Sequence, residues 1–286
     1  MRLFYREDLT EIYCGDVLDV LTSLPGESVD LIAFSPPYNV RIRYDGCSDE
    51  MPWNAHYEFM TRVIRECYRI LFKGGTIAIN IPSVVSYQHD HQYNHTWADY
   101  DGQYKTHRVH EKVVGRGRME PIGFRLFNIL QSIDPHLREP IVWVKGESPE
   151  KSVSINFQMG SDSNPHLRST YKLILLGSKE RWYHRGGTGR RGGGAVPFED
   201  YTKDVWFIPP ARRRNHPAPW PKEIPSRLIK LFVHASNGVV LDPFMGCGTT
   251  LEAAREFGLK NIGIDISPAY CEIASEMCKE YNSKGK

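Results

Sequence analysis

With 286 residues, 41% of them hydrophobic and 24% charged, the chain is long enough to bury a full core and has the balance of a folded protein rather than a disordered one. Its start, MRLFYREDLTEIYCGD, is charged throughout and lacks the apolar stretch of a signal peptide, and no run approaches the roughly 18 apolar residues of a spanning helix, so a cytoplasmic protein without membrane contact is expected. The formal net charge of +2 gives no argument for nucleic acid by itself, but residues 179–214 gather nine Lys or Arg against four Asp or Glu, which marks a basic surface.

Short apolar runs rich in β-branched residues alternate with amphipathic stretches, the pattern of an α/β fold with a largely parallel sheet. In chain order the pattern predicts a strand over Val29 to Phe34, then a helix over Tyr57 to Leu71 with Phe59, Val63, Cys67 and Ile70 on one face, ended by Lys73, Gly74 and Gly75. Strands over Thr76 to Ile81, Ile141 to Val144 and Lys172 to Leu176 follow. Pro225 opens a helix running to Ala235, and strands Val239 to Leu241 and Asn261 to Ile264 are each followed by a helix, Thr249 to Phe257 and Pro268 to Tyr281. Residues 83–118, polar and rich in His, Tyr and Arg, and 178–204, with GGTGRRGGG, read as excursions from the sheet.

Six cysteines (Cys14, Cys47, Cys67, Cys247, Cys271, Cys278) form no Cys-x-x-Cys pair, so they are expected to be reduced and mostly buried. His89, His91 and His95 fit no common zinc spacing and read as loop residues, so no metal is expected. Tyr93, Trp97 and Tyr100 line a cleft or form a small local core.

Two segments carry chemistry. In VDLIAFSPPYNV a buried strand runs directly into Ser35, Pro36, Pro37 and Tyr38. Consecutive prolines cannot continue a ladder, so the chain leaves the sheet at its carboxyl edge, where ligands bind in open α/β sheets. A rigid turn that happens to contain a tyrosine is the plain alternative. In VVLDPFMGCGTTLEAA a strand leads through a glycine turn into a helix. Gly246 and Gly248 permit a tight backbone beside a ligand, Thr249 and Thr250 can cap the helix, and Asp265, ending a later strand, can accept hydrogen bonds from ribose hydroxyls. This reads as a nucleoside site: no Gly-Lys-Ser/Thr follows the turn and the third glycine of a dinucleotide fingerprint is missing. A simple strand-to-helix turn is the plain alternative here.

SPPY and DPFMGCGTT together resemble the catalytic and cofactor motifs of amino-methylating DNA methyltransferases, the SPPY form being typical of N4-cytosine enzymes. GDVLDVLTSLPGESVDLIAFSPPY, LFKGGTIAINI, IVWVKG and HPAPWPKEIPSRLI resemble further segments of that family, in its order and over roughly two thirds of the chain. Catalytic motif first and cofactor motif last is the circularly permuted beta-class arrangement. The resemblance implies a Rossmann-like S-adenosylmethionine-dependent fold with a mostly parallel twisted sheet and helices on both faces. It implies a catalytic and cofactor-binding domain over 1–146 and 205–286, with the polar insertion at about 83–118, and a target recognition region over 147–204.

Residue by residue, the resemblance places Ser35, Pro36, Pro37 and Tyr38 in the catalytic site. Asp242, Pro243, Phe244, Gly246, Gly248 and Thr249 would form the S-adenosylmethionine pocket, Asp265 would bind the ribose and Asp16 the adenine, and His216 and Pro217 would line the methionine end. Many relatives carry a lysine where this chain has Trp220, and Lys222 is the nearby cation that could replace it. Arg190, Arg191, Arg212, Arg213 and Arg214 are the expected DNA contacts. The implied partner is double-stranded DNA, with a cognate restriction endonuclease as a candidate functional partner and a monomer or homodimer as the assembly.

Within the resemblance, N4-cytosine methylation leads and N6-adenine methylation is second, because adenine enzymes usually begin the tetrapeptide with Asp or Asn. Methylation of RNA or a protein glutamine is third, marked by failure to label duplex DNA. A DNA-binding module without catalysis is fourth, marked by DNA binding without cofactor binding.

Overall fold

A computed structural model describes residues 2–45, 47–87, 94–98, 104–108, 118–146, 160–161, 164–165, 169–182, 198–211 and 219–284. Among them nine strands join in one sheet: β1 (Arg2–Glu7), β2 (Thr10–Cys14), β3 (Val29–Phe34), β4 (Leu71–Ile81), β5 (Leu137–Val144), β6 (Tyr171–Ser178), β7 (Val205–Phe207), β8 (Val239–Asp242) and β9 (Lys260–Asp265). Their order across the sheet is β1-β2-β9-β8-β3-β4-β6-β5-β7. Every pairing from β2 to β4 is parallel, as is β5 with β7. Strand β6 runs antiparallel to both β4 and β5, and β1 antiparallel to β2.

Side chains alternate across a strand, so a strand covered on both sides is apolar at nearly every position, and a buried polar side chain such as Asp30 in β3 needs a partner, here the Val239 N–H at 2.9 Å. All six residues of β3 are buried. Ile32 and Phe34 face α1 (Val17–Ser23), α2 (Trp53–Ile70) and α3 (Ile122–Ile133), packing with Leu21, Met60, Val63, Ile64 and Leu126. Leu31 and Ala33 face α4 (Glu223–Phe232) and α5 (Thr249–Glu256), packing with Ile224, Leu228 and Ala253. Helix α6 (Pro268–Lys284) lies beside α5, where Cys271 and Ala274 meet Ile12, Met245 and Leu251. Each large aliphatic side chain buried this way stabilises the fold by about 1.5–3 kcal/mol.

Several predicted boundaries move. Helix α2 starts after Pro52 and stops at Ile70, and Leu71 to Gly75 belong to β4 instead of ending the helix. Leu71 already pairs with Val29, and an irregularity in register, with Gly74 at φ 86°, absorbs the extra residues before Thr76 pairs with Leu31. Helix α4 opens at Glu223, two residues ahead of Pro225, whose missing N–H falls where a first turn has no use for one. Strand β6 lies within 147–204, so the middle of that interval is part of the main sheet.

The polar 83–118 excursion contains two short pairings, Val85–Tyr87 with Arg118–Glu120 and Asn94–Ala98 with Tyr104–Arg108. Cys67, Cys271 and Cys278 are buried and Cys14 and Cys247 half-buried, all as free thiols. Among the described residues no helix is long and apolar enough to cross a membrane, and no three His, Cys, Asp or Glu gather in a way that could hold a metal.

Candidate active site

The chain leaves β8 at Asp242 and must reverse within six residues to begin α5 at Thr249. Gly246 (φ 51°) and Gly248 (φ 84°) supply the left-handed backbone that this turn requires. Gly248 is itself the N-cap of α5, so neither threonine caps the helix as expected. The Thr250 hydroxyl turns back instead and donates to Asp242 Oδ2 (2.6 Å), while the Phe244 N–H donates to Asp242 Oδ1 (2.9 Å). Burial pushes the Asp242 carboxyl up to about 7.

Asp265 ends β9 beside this turn. The Gly246 N–H donates to its Oδ2 (3.0 Å) and the Ser267 N–H to its Oδ1 (2.9 Å), and burial raises its pKa. An ionised carboxylate offers about four lone-pair sites, so both oxygens can still accept from a ligand hydroxyl. Gly15 N–H donates to the Asp265 carbonyl (2.9 Å), which sets Asp16 at the neighbouring strand end. Asp16 is the N-cap of α1, and its Oδ1 accepts the Leu18 N–H (2.8 Å).

At the end of β3 the two prolines turn the chain out of the sheet. Ser35 Oγ lies 2.7 Å from Tyr38 Oη and 3.5 Å from the Asn80 carbonyl, and Asn80 Nδ2 donates to Ser35 Oγ at 3.3 Å. Lys172, on β6, donates to Tyr38 Oη at 2.8 Å. Its Nζ is 4.6 Å from the Tyr38 ring centroid and 5.6 Å from that of Trp143. Asn80, Trp143 and Lys172 were not singled out from the sequence. The available signal was a polar residue inside an apolar strand: Asn80 in TIAINI and Lys172 in YKLILL.

The two motifs meet. Phe34, ending β3, and Phe244, in the glycine turn, hold their ring centroids 5.6 Å apart, with Phe59 edge-on to Phe244 at 6.3 Å. One pocket is lined by Ser35 together with Asp242, Phe244, Gly246, Thr249 and Trp220. Pro243 and Gly248 belong to the same turn. The buried carboxylate of Asp242 is in the wall, and no Lys or Arg is among the described lining residues. Such a wall favours a cationic ligand over a phosphate. Lys222 does not supply a charge here, because its Nζ is held by Glu252 (2.9 Å) and Glu256 (2.7 Å) on α5. His216, Pro217, Arg190, Arg191 and Arg212 to Arg214 lie outside the described residues, as do His89, His91, Tyr93, Tyr100 and the side chains of His95 and Trp97.

A glycine turn between strand and helix, a carboxylate at the next strand end and a polar turn facing both define a nucleoside-binding α/β protein with its site at the carboxyl edge of the sheet. The chain belongs to the DNA methylase family, whose model matches residues 29–276. Among its relatives, the type II methyltransferase M.BglII of Bacillus subtilis is 24% identical over 96% of this chain and 70% of its own length. M.BamHI of Bacillus amyloliquefaciens is 26% identical over 99% of this chain, which spans 60% of that relative. The DNA adenine methyltransferase YhdJ of Escherichia coli strain K12 is 27% identical over 94% of this chain and 82% of its own length.

The fold is that of DNA methyltransferases. A structure of the Thermus thermophilus protein TTHA0409, a DNA modification methylase by name, superposes with a TM-score of 0.64 at 25% identity, covering 94% of each chain. That protein has also been solved complexed with S-adenosyl-L-methionine. The PvuII DNA methyltransferase, cytosine-N4-specific, superposes with a TM-score of 0.63 at 15% identity, covering 96% of this chain and 88% of its own.

Proposed function

We propose that this DNA methylase transfers a methyl group from S-adenosylmethionine to an exocyclic amine of a base in duplex DNA, and that the amine is N4 of cytosine. The observation that carries this reading is Ser35 on the wall of the pocket formed by the Asp242 to Thr249 turn. The residues present fit the cofactor: a buried carboxylate with no Lys or Arg among the described lining residues suits a positively charged sulfur, and the half-buried Asp265 retains acceptor capacity for ribose hydroxyls. Asp242, Phe244, Gly246 and Thr249 would surround it, with Asp16 and Asp265 at its nucleoside end. When bound, the cofactor supplies an electrophilic methyl group on a cationic sulfur.

The chain's own residues prepare the nucleophile. The lone pair of an exocyclic base amine is delocalised into the ring, so the amine attacks poorly until the nitrogen becomes more tetrahedral. Ser35 Oγ and the Pro36 carbonyl accept the amine hydrogens and favour that geometry, while Tyr38 stacks on the base. The base must first leave the duplex, at a cost of a few kcal/mol. Transfer is direct. The sequence has no Pro-Cys dipeptide to supply the thiolate that attack at carbon 5 would need, and the surplus proton leaves after transfer without a strong base.

The serine that opens SPPY favours cytosine. N6 of adenine is the second reading, favoured by the likeness to the adenine methyltransferase YhdJ. Target recognition belongs to the parts of 147–204 that flank β6, with Arg190, Arg191 and Arg212 to Arg214 on phosphates. The type II relatives favour a place in a restriction-modification system. Sequencing DNA from cells that express the protein, by a method that reports modified bases, tests this reading. N4-methylcytosine in one fixed context is expected, N6-methyladenine would transfer the assignment to the second reading, and unmodified DNA would overturn both.

A further inference from the structure

Lys172 has no part in the mechanism above, yet it touches it. Its neighbours on β6 continue into Leu173, Ile174 and Leu175, which are packed into the two cores, so the strand holds the lysine's backbone in a fixed place. From there the ammonium reaches the Tyr38 hydroxyl at 2.8 Å, and no carboxylate within salt-bridge distance competes for it among the described residues.

We infer that Lys172 is a positioning residue for methyl transfer, fixing the Tyr38 ring and the direction of the Tyr38 to Ser35 hydrogen bond. An ammonium carries three donors and no acceptor, so Tyr38 Oη must accept from Lys172. The tyrosine hydrogen then goes to another acceptor. Ser35 Oγ at 2.7 Å is far better placed than the Asn80 carbonyl at 3.4 Å. One lone pair of Ser35 Oγ is thereby committed to Tyr38 and the other meets Asn80 Nδ2 at the longer distance of 3.3 Å, while the serine's own hydrogen has, among the described residues, the Asn80 carbonyl at 3.5 Å. The serine oxygen is left in one orientation, held at short range by Tyr38, and the long Asn80 amide contact is the one that an incoming amine hydrogen would displace.

Without Lys172 the same three oxygens admit a second arrangement. Ser35 could donate to Tyr38 and Tyr38 to the Asn80 carbonyl, and the ring that stacks on the base would lose its tether. A charge-assisted bond to an ammonium is about twice as strong as a neutral one, enough to select one of the two. Misplacement of a reacting group by about 1 Å can cost on the order of a hundredfold in rate.

This inference rests on the proposed amine methylation, and its test separates the two. Single-turnover transfer of a tritiated methyl group from S-adenosylmethionine to unmethylated bacteriophage duplex DNA is measured for wild type, Lys172→Met, Lys172→Arg, Tyr38→Phe and Lys172→Met/Tyr38→Phe. DNA affinity is measured at several salt concentrations. Lys172→Met is expected to slow transfer at saturating DNA by about 10- to 100-fold, with DNA affinity within about twofold and an unchanged salt dependence. Lys172→Arg, which keeps donors in place, should recover part of the rate. In the Tyr38→Phe background, where the hydroxyl is gone, removing Lys172 should have little further effect.

Wild-type rates in Lys172→Met would overturn the inference. So would an equal loss with and without the Tyr38 hydroxyl, or a loss confined to DNA affinity with a shallower salt dependence, which would make Lys172 a phosphate contact. A wild-type protein that labels no DNA would overturn the methylation reading and this inference with it.

Discussion

The rings of Phe34 and Phe244 lie 5.6 Å apart at 42° to each other, one ending the strand that precedes Ser35 and the other in the turn that precedes α5. Because β3 and β8 are neighbouring parallel strands, both leave the sheet at the same edge, and this contact seals their two exits together. Ser35 then faces the pocket that Asp242, Gly246 and Thr249 enclose.

In the proposed mechanism, replacing Ser35 with alanine removes one acceptor for the amine and changes no residue of the cofactor turn. Turnover should fall by about 10²- to 10³-fold, the usual cost of losing one hydrogen-bonding group aimed at the reacting centre. Calorimetry should find unchanged affinity for S-adenosylmethionine. Wild-type turnover in Ser35→Ala would remove the hydroxyl from the mechanism.

With Asp242 in the cofactor pocket as proposed, cofactor binding should have a pH dependence of definite sign. Burial raises its carboxyl to about 7, so the group is largely neutral at pH 6 and largely anionic at pH 8. An anion in the pocket wall attracts the cationic sulfur of S-adenosylmethionine but not the neutral sulfur of S-adenosylhomocysteine. The affinity ratio of the two should therefore rise several-fold between pH 6 and pH 8. Asp265 is raised in the same direction, so Asp242→Asn isolates the contribution and should flatten much of the rise. A ratio that does not change with pH in the wild type would contradict this electrostatic role.

His56 should make the fold acid-sensitive. It is buried on α2, its Nε2 has no hydrogen-bond partner among the described residues, and burial lowers its pKa to about 4. The unfolded chain takes up a proton near pH 6.5 and the folded one does not. The stability held above that pH is therefore lost as pH falls from about 6.5 toward 4, reaching about 2 kcal/mol by pH 5. Urea midpoints at pH 7 and pH 5 should diverge more for the wild type than for His56→Leu, and equal divergence would show that His56 is not the sensor.

Gly248→Ala should hurt the fold and the pocket together. At φ 84° an alanine is strained, and its Cβ would come within 3.0 Å of Ala274 Cβ and Met277 Cε on α6. A loss of about 1–3 kcal/mol is expected, read as a lower urea midpoint, with weaker cofactor binding alongside. A fully stable variant would mean that the turn can relax away from α6.

The fold was legible where periodicity was strong. Strand β3 matches its predicted bounds because VDLIAF, Asp30 apart, is apolar on both faces and the following prolines stop it. Helix α1 was not read as a separate element: seven residues give too few turns for periodicity, and its only marker is Asp16, which the family resemblance assigned to the cofactor instead. The edge strands β1 and β7 escaped because exposed positions interrupt their apolar pattern. In the site, motif residues were legible because backbone geometry demands them, Gly246 and Gly248 above all. Lys172 and Asn80 were not, since their roles come from strands β6 and β4, which only the sheet order brings beside Tyr38.

The central claim is that one site joins a bound methyl donor to an unstacked base amine. Its most direct test is to incubate unmethylated duplex DNA with the protein and methyl-labelled S-adenosylmethionine, digest the DNA to nucleosides and identify the labelled one by mass spectrometry. Label in N4-methyldeoxycytidine is the expected result. Absence of label from every nucleoside, under conditions where the cofactor binds, would contradict it.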